Sequence, residues 1–600
     1  MQISLSHHLY FIPIPLKTHM KSPLLNPKST KEMVCAPSSF ICQALSNPSE
    51  DTLQKEPPTP LPSPMPPPSP RLSMFPPDSL QPPKLTLIQK LLNSMLNMVE
   101  RSVIMKMEKK LRLNRMVDPA VQLEGNFAPV QEFPVRNDLE VVGTIPKTLR
   151  GVYVRNGGNP LFPPTSGHHL FDGDGMVHVV SLVGENQATY ACRFIRTNRL
   201  VQEVELGRPV FPKPIGELHG HLGLARLVLF GFRAMVGLID AARGIGVANV
   251  SLIYFNGRLL AMSEDDLPYQ IRVTDNGDLE TIKRYDFNGQ LKDSMIAHPK
   301  VDPITGELFT LSYNVLSKPY LQFFKFDPCG NKSSEIAISI QQSTMIHDFA
   351  ITESYIVLPD HQVVFKLSEM IRDGSPVVHD PKKISRFGIL PKNAKNESEI
   401  QWIDVPNCFC FHMWNAWEEL DGNKDKIVVV INSCMTPVDA MFTSTDDPIV
   451  TELTEIRLNL KTGKSTRRVI VSGINLEGGQ VNKRRLGMKD RYVYLAITDP
   501  WPKSSGMAKV DLTTGHVTKY MYLDKIFGGE PCFVPSDEDE EDEGFLMNFV
   551  RDEEKETSEL VVLKASNMKE IASVKLPTRV PYGFHGTFVS SQELEKQAFS

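Results

Sequence analysis

Four of the fifteen histidines in this 600-residue chain share a context that the others lack. His298 closes the run Met295-Ile296-Ala297, and His347 follows Thr344-Met345-Ile346. His412 follows Cys408-Phe409-Cys410-Phe411, and His585 sits in Pro581-Tyr582-Gly583-Phe584-His585-Gly586. Each interrupts an apolar, strand-like stretch, where an ionisable side chain is costly to bury without a partner. Singly, each reads as a hydrogen-bonded core histidine. As a set, widely and unevenly spaced along the chain, they read as candidate metal ligands if the fold draws distant segments together. His7, His8 and His19 belong to a leader, and His361, His379 and His516 read as surface residues beside turns.

The elements that must position such a set are short strands. After Pro119 the chain becomes β-rich runs joined by turn signals. Ser251–Tyr254, Asn256-Gly257 and Arg258–Met262 spell a hairpin with a favoured two-residue turn. Asp302-Pro303-Ile304-Thr305-Gly306 precedes the run Glu307–Ser312. The phrase recurs as Asn459-Leu460-Lys461-Thr462-Gly463 before Lys464–Val471, and as Asp511-Leu512-Thr513-Thr514-Gly515 before His516–Tyr520. So many hairpin phrases over residues 118–600 favour an all-β propeller over a sandwich. A propeller brings the inner strands of separate blades around one axis, which permits widely spaced histidines to meet.

The first 117 residues have a different composition. Residues 1–31 hold no Asp or Glu, while Lys17, Lys21, Lys28 and Lys31 lie among Ser, Thr and Pro, so residues 1–56 read as an organelle transit peptide. Between Pro57 and Pro83 nearly every second position is proline, which makes 57–84 an extended spacer. Residues 85–117 then place Ile88, Leu91, Leu92, Met95, Leu96, Val99 and Val103 on one helical face, with Arg101, Lys106, Lys109, Lys110, Arg112 and Arg115 toward the C-terminal end. Such a basic amphipathic helix serves as a membrane-surface anchor or docks on its own protein, and the two roles are compatible. The apolar region 222–239 reads as a buried helix, or as a lip dipping into a bilayer if the substrate is a lipid.

Bulk properties exclude some classes. A net charge of −5 removes the simplest argument for nucleic acid as a partner. Eight cysteines with no CxxC pair argue against a disulfide framework and for a reducing compartment. The Cys408/Cys410 pair lacks the second half of a thiolate metal site and reads as two small strand residues. The acidic run 537–543 is a solvated loop, since consecutive carboxylates lack the spacing of a calcium loop.

Long phrases carry a resemblance. Gly151-Val152-Tyr153-Val154-Arg155-Asn156-Gly157, Phe171-Asp172-Gly173-Asp174-Gly175-Met176-Val177-His178, Glu217-Leu218-His219-Gly220-His221, Ser263-Glu264-Asp265-Asp266-Leu267-Pro268-Tyr269 and Pro581 to Phe588 resemble the carotenoid cleavage dioxygenases, in their plant 9-cis-epoxycarotenoid branch. The resemblance spans roughly Val117 to Phe588. It implies a seven-bladed β-propeller with a helical cap on one face. It also implies Fe(II) on His298, His347, His412 and His585, with Glu264, Glu477 and Glu530 holding the histidines from behind, and Phe171 and Phe411 against substrate. Strict strand alternation puts Phe411 on the face opposite His412, so that role requires a local irregularity. The family has an apolar residue shortly after the Glu477 position, where this chain reads Gly478-Gly479, which implies a wider tunnel there.

The implied activity is oxidative cleavage by dioxygen of 9-cis-violaxanthin or 9′-cis-neoxanthin at the 11,12 double bond, giving xanthoxin, a precursor of abscisic acid. Four neutral imidazoles leave two positions of an octahedral ion open, whereas zinc lacks redox chemistry and prefers fewer ligands. The setting implied is a plastid, in the stroma and against the thylakoid membrane. Two alternatives stay open: a dioxygenase of other carotenoids or apocarotenoids with a different bond specificity, and a non-enzymatic lipid-binding propeller.

Overall fold

The computed structural model describes residues 84–184, 186–442, 448–536 and 540–598. The transit-peptide segment 1–56, spacer residues 57–83 and residues 537–539 of the acidic run lie outside the described residues. Seven antiparallel sheets succeed one another along the chain and form the blades of a β-propeller. The first blade joins Phe133–Arg136, Gly151–Gly158, Gly175–Gly184 and Gln187–Phe194 to the last strand of the chain, Gly586–Ser590. The second to seventh blades begin at their inner strands Ser251–Phe255, Lys300–Val301, Ala350–Ile351, Cys410–Leu420, Leu476–Gln480 and Cys532–Pro535. The seventh also takes Val141–Gly143 from the N-terminal side as its outer strand.

The repeated turn phrases fold alike. Asp302 Oδ1 accepts from the Ile304 and Thr305 amides, and Asn459 Oδ1 accepts from Lys461 and Thr462. Asp511 Oδ1 accepts from Thr513 and Thr514 in the same way. The closing glycines, Gly306, Gly463 and Gly515, take φ of 69°, 67° and 73°, a region that side chains resist. Hydrophobic cores fill the spaces between neighbouring blades. Val429 and Ile431 of the fifth, for example, pack against Val493 and Leu495 of the sixth.

Helices occupy the connection between the first two blades, as Asn198–Leu206 and Gly220–Met235. The latter packs on the short helix Ser368–Ile371 from an insertion in the fourth blade. The N-terminal helix is shorter than its sequence pattern. It runs Leu87–Val99, continues through a π turn at Glu100–Ile104, and ends at Glu108 rather than extending to residue 117. Its inner face buries Glu100 and Glu108, which meet three arginines. Arg226 binds Glu108 at 2.5 and 2.7 Å, Arg233 binds Glu100 at 2.6 Å, and Arg208 binds Glu100 at 2.7 Å. Arg226 and Arg233, the two arginines of the apolar region 222–239, therefore point inward. The outer faces leave Leu91, Met95, Met98, Val228 and Met235 exposed, so Gly220–Met235 is a half-buried helix rather than a core one.

His361 corrects the surface reading given to it. Its neighbours Asp360 and Gln362 are polar, yet the ring is 1 % exposed, because the fifth-blade residues Cys408 and Cys410 cover it. Nδ1 lies 3.0 Å from the Cys408 carbonyl and Nε2 3.5 Å from Cys410 Sγ. Burial lowers the pKa of His361 to about 4, and those of the buried His168 and His169 to about 2 and about 3. The unfolded chain binds these protons below about pH 6.5 and the folded chain does not, so stability present above that pH is lost as pH falls toward 4. Denaturant midpoints should fall from pH 6.5 to pH 4.5, the unfolding free energy derived from them dropping by about 1.4 kcal/mol per pH unit for each such histidine. A midpoint flat over that range contradicts the burial of these rings as neutral imidazoles.

Candidate metal centre and its apolar cavity

Six of the seven inner strands bring one histidine or glutamate, within or just ahead of the strand, into one cluster. His298 stands two residues ahead of Lys300–Val301, and His347 three ahead of Ala350–Ile351. His412 is the third residue of Cys410–Leu420, and His585 directly precedes Gly586–Ser590. Glu477 is the second residue of Leu476–Gln480, and Glu530 lies two ahead of Cys532–Pro535. The second blade differs: it places Val250 before its inner strand and Glu264 in the loop after Arg258–Met262. Ring closure thus converts blade order into a cluster.

The structure brings together all four histidines named from sequence. One nitrogen from each lies within 4.8 Å of the others. Ring centroids are 4.4 Å apart for His298 and His347, 4.5 Å for His298 and His585, and 5.0 Å for His412 and His585. Each of the three glutamates takes one imidazole. Glu264 lies 2.5 Å from His347 Nδ1, Glu477 2.6 Å from His412 Nδ1, and Glu530 2.5 Å from His585 Nδ1. A carboxylate at Nδ1 fixes the proton there and leaves the Nε2 lone pair facing the centre.

The donor set fits a cation. His347 Nε2 and His412 Nε2 are 3.2 Å apart, and two nitrogens bound to one ion at ~2.1 Å stand at about that separation. His298 Nε2 is buried with no hydrogen-bond partner among the described residues. Burial and the neighbouring imidazoles hold His298 and His412 well below the ordinary histidine pKa, which favours the neutral form that a metal ligand needs. Burial, with repulsion from Glu530, pushes the Glu477 carboxyl well above its usual range. Burial also raises Glu264, but the charge and hydrogen bond of His347 outweigh it and leave Glu264 below its usual range. Lone pairs converging on a point ringed by three buried carboxyl groups call for positive charge at that point.

Above the centre opens a cavity of about 1390 Å³, its mouth included. Phe171, Met345, Phe411, Met435, Met441, Trp501 and Phe584 supply its apolar wall, and His347, His412 and His585 its floor. Phe171 and Phe411 stack at 5.7 Å with 25° between their planes, and Phe171 meets Phe584 edge-on at 5.5 Å. The irregularity required of Phe411 is present. Strand register shifts between Cys410 and Met413 and again before Asn415, which lets Phe411 and His412 both reach the cavity. Gly478 also lines it, at φ 57° within a bulge between Glu477 and Gly479; a Cβ there would meet only Glu530 Cβ, at 3.8 Å. Sequence reasoning missed His168, Val250, Thr498, Trp501 and Phe584 as lining residues. Val250 and Phe584 had a usable signal, since each stands beside an inner strand.

A family model described as retinal pigment epithelial membrane protein matches residues 127–590. The chain is 54% identical over 598 residues to the chloroplastic 9-cis-epoxycarotenoid dioxygenase NCED6 of Arabidopsis thaliana, covering 99% of this chain and 100% of the relative. Among solved structures it is similar to the lignostilbene dioxygenase of Pseudomonas brassicacearum (TM-score 0.69, 25% identity, 78% of this chain and 98% of that one). It is also similar to the cobalt-substituted apocarotenoid oxygenase of Synechocystis (TM-score 0.64, 25% identity, 80% of this chain and 100% of that one). Elemental analysis provides the test of the centre. His412→Ala should purify without the metal that the unaltered chain carries, and Glu477→Gln should lower metal affinity ten- to a hundredfold in chelator competition. Undiminished metal in His412→Ala would remove the imidazole cluster as the binding site.

Proposed function

This chain belongs to the retinal pigment epithelial membrane protein family, within its carotenoid cleavage dioxygenases, and from that premise we propose that it cuts a 9-cis-epoxycarotenoid with dioxygen. It is a metal-binding dioxygenase of carotenoids, which sets aside the lipid-carrier alternative. The substrates of this reading are 9-cis-violaxanthin and 9′-cis-neoxanthin, opened at the 11,12 bond to xanthoxin and an apocarotenal on the way to abscisic acid. The observation that carries it is an apolar cavity floored by the four-histidine centre, in a chain similar over its whole length to a named 9-cis-epoxycarotenoid dioxygenase. The metal of this reading is Fe(II), held by His298, His347, His412 and His585. When bound, it supplies the one-electron chemistry through which dioxygen reacts with a closed-shell polyene.

The rest of the work falls to the chain. One dioxygen and one C=C bond become two C=O ends, so atoms balance with no proton and no outside reductant. The cavity matches that demand: Glu264, Glu477 and Glu530 are engaged at imidazole Nδ1 atoms and hold those protons in place. They orient the rings and keep the Nε2 lone pairs on the metal. Phe171 and Phe411 offer nearly parallel faces against which a flat polyene stacks, and the surrounding Met and Phe side chains keep water out.

Substrate delivery explains the outer faces of the helices. No helix among the described residues is long and apolar enough to cross a membrane. Leu87, Ile88, Leu91, Met95 and Met98 are nonetheless exposed beside Arg101, Lys106, Lys109 and Lys110. Val228, Phe232 and Met235 project from the helix against which the N-terminal helix docks. In this reading the two helices lie in the surface of a plastid membrane, the thylakoid, where a carotenoid partitions. The plastid setting accords with the chloroplastic relative.

Two measurements test the proposal. The iron-loaded protein should release a C15 aldehyde from 9-cis-violaxanthin, identified by mass; cleavage confined to all-trans, unepoxidised carotenoids overturns the substrate. Leu91→Asp combined with Val228→Asp should reduce sedimentation with galactolipid vesicles about tenfold or more. Retention of vesicle binding by that double variant would locate the membrane surface elsewhere.

A further inference from the structure

Two polar atoms of the cavity lining, outside the histidine–glutamate group, are buried with no hydrogen-bond partner among the described residues: His168 Nδ1 and Thr498 Oγ1. Thr498 is the one whose position relative to the metal centre follows from strand register. It extends the sixth-blade strand Tyr492–Ile497, in which Val493, Leu495 and Ile497 fill the core against the fifth blade. Ala496 and Thr498 share the opposite face and line the cavity. Ala496 is the register partner of Glu477, which holds His412, and the Thr498 amide donates to the Asn475 carbonyl at 2.9 Å. Thr498 therefore sits one strand repeat of two residues, roughly 6.6 Å, beyond the Ala496–Glu477 pair.

Of the buried hydroxyls without a hydrogen-bond partner among the described residues, that of Thr498 is the one on the cavity wall. Thr498 is 7 % exposed, and a buried hydroxyl without a partner loses the hydrogen bond that water gave it. Valine has the same shape, suits a strand end and carries no such penalty. A threonine facing this largely apolar cavity makes sense where a ligand supplies the missing partner. In a 9-cis-epoxycarotenoid the oxygenated ring begins about five bonds from the 11,12 bond, a reach similar to two strand residues. The reach from the 11,12 bond to the epoxide is thus of the same order as the along-strand offset between Thr498 and the Glu477 level, at which His412 is held.

We propose that Thr498 is a specificity residue whose hydroxyl donates a hydrogen bond to an oxygen of the substrate's oxygenated end ring, the epoxide oxygen being the acceptor at a comparable reach. The assignment rests on the carotenoid reading of the preceding section. It concerns selection among carotenoids, whereas the metal centre governs whether any is cut.

The test compares full-length, iron-loaded protein with Thr498→Val and Thr498→Ser on 9-cis-violaxanthin and on 9-cis-β-carotene, which has the same chain without the oxygens. Thr498→Val should lower the ratio of kcat/KM for the oxygenated over the hydrocarbon substrate by about three- to tenfold, the worth of one hydrogen bond. Where the hydrocarbon is bound but not cut, the same ratio is read from Kd by quenching of tryptophan fluorescence, Trp501 being part of the cavity wall. Thr498→Ser should keep the ratio. The melting temperature of Thr498→Val should not fall, because an unpartnered hydroxyl adds nothing to the fold. A ratio unchanged in Thr498→Val, or a lowered melting temperature with equal loss on both substrates, overturns the assignment and leaves the carotenoid reading standing. Unaltered protein that cuts only the hydrocarbon overturns the carotenoid reading itself, and this assignment with it.

Discussion

Antiparallel pairing between Gly151–Gly158 and Gly586–Ser590 closes the ring, and the centre exists only because it does. The strands come from opposite ends of the body, and His585 stands immediately before the second of them. Its carbonyl accepts from the Asn156 amide at 3.0 Å, and the Phe584 amide donates back to the Asn156 carbonyl at 2.9 Å. Arg155 donates to the Pro581 carbonyl at 2.7 Å, and Asn156 Nδ2 to the Ala248 carbonyl at 2.7 Å. These bonds tie the first blade, the last strand and the entry to the second blade into one unit. With the ring open, three histidines on the third, fourth and fifth blades lack their fourth. Among the described strands, the pairing of longest range along the sequence is thus the one that completes the donor set.

That dependence explains what was legible in the sequence and what was not. The four histidines stood out because imidazoles in apolar strands are expensive, and the glutamates entered only through resemblance to a family. Yet a physical signal for the glutamates was present. His347 to His412 and His412 to Glu477 each advance 65 positions, and Glu530 to His585 advances 55, which is the recurrence of a blade. Treating histidines alone leaves a wide gap between His412 and His585 and hides that period. The turn phrases were legible because Asx turns are local, and three of them fold alike. His361 was misread for the opposite reason: its polar neighbours are local, whereas the fifth-blade cysteines that bury it are not. Phe411 shows the same limit, since its orientation depends on a register shift that no single-strand pattern encodes.

The N-terminal helix solves a problem of the same kind as the metal centre. Its only acidic residues beyond Val99, Glu100 and Glu108, are buried and matched by Arg208, Arg226 and Arg233, while its basic residues face outward. Removing one partner of such a network strands a buried charge, at a cost of about 3–5 kcal/mol. The pairing therefore fixes the rotation of the helix about its axis, and with it which apolar residues face outward. Sequence periodicity identified an apolar face but could not say that ion pairs, rather than that face, hold the helix to the body. In both places buried charge is kept because it specifies geometry.

The centre and the cavity wall answer to different constraints. Inner strands around a closed axis leave little freedom: each histidine of the cluster lies within three residues of an inner-strand start, and each glutamate reaches one Nδ1. Apart from Phe411, which belongs to the inner strand Cys410–Leu420, much of the wall comes from segments outside the inner strands, including Phe171 before Gly175–Gly184, Met435 and Met441 around the end of Lys426–Thr436, and Thr498 to Ser504 after Tyr492–Ile497. Such segments tolerate change without opening the ring. Gly478 marks the boundary between the two regimes, since its backbone belongs to the bulge that aims Glu477 and its missing side chain belongs to the cavity. In the proposed reading, reactivity is consequently set mainly by the inner strands and selectivity mainly by the loops. A substitution in the wall can redirect the enzyme among polyenes while the imidazole set stays in place.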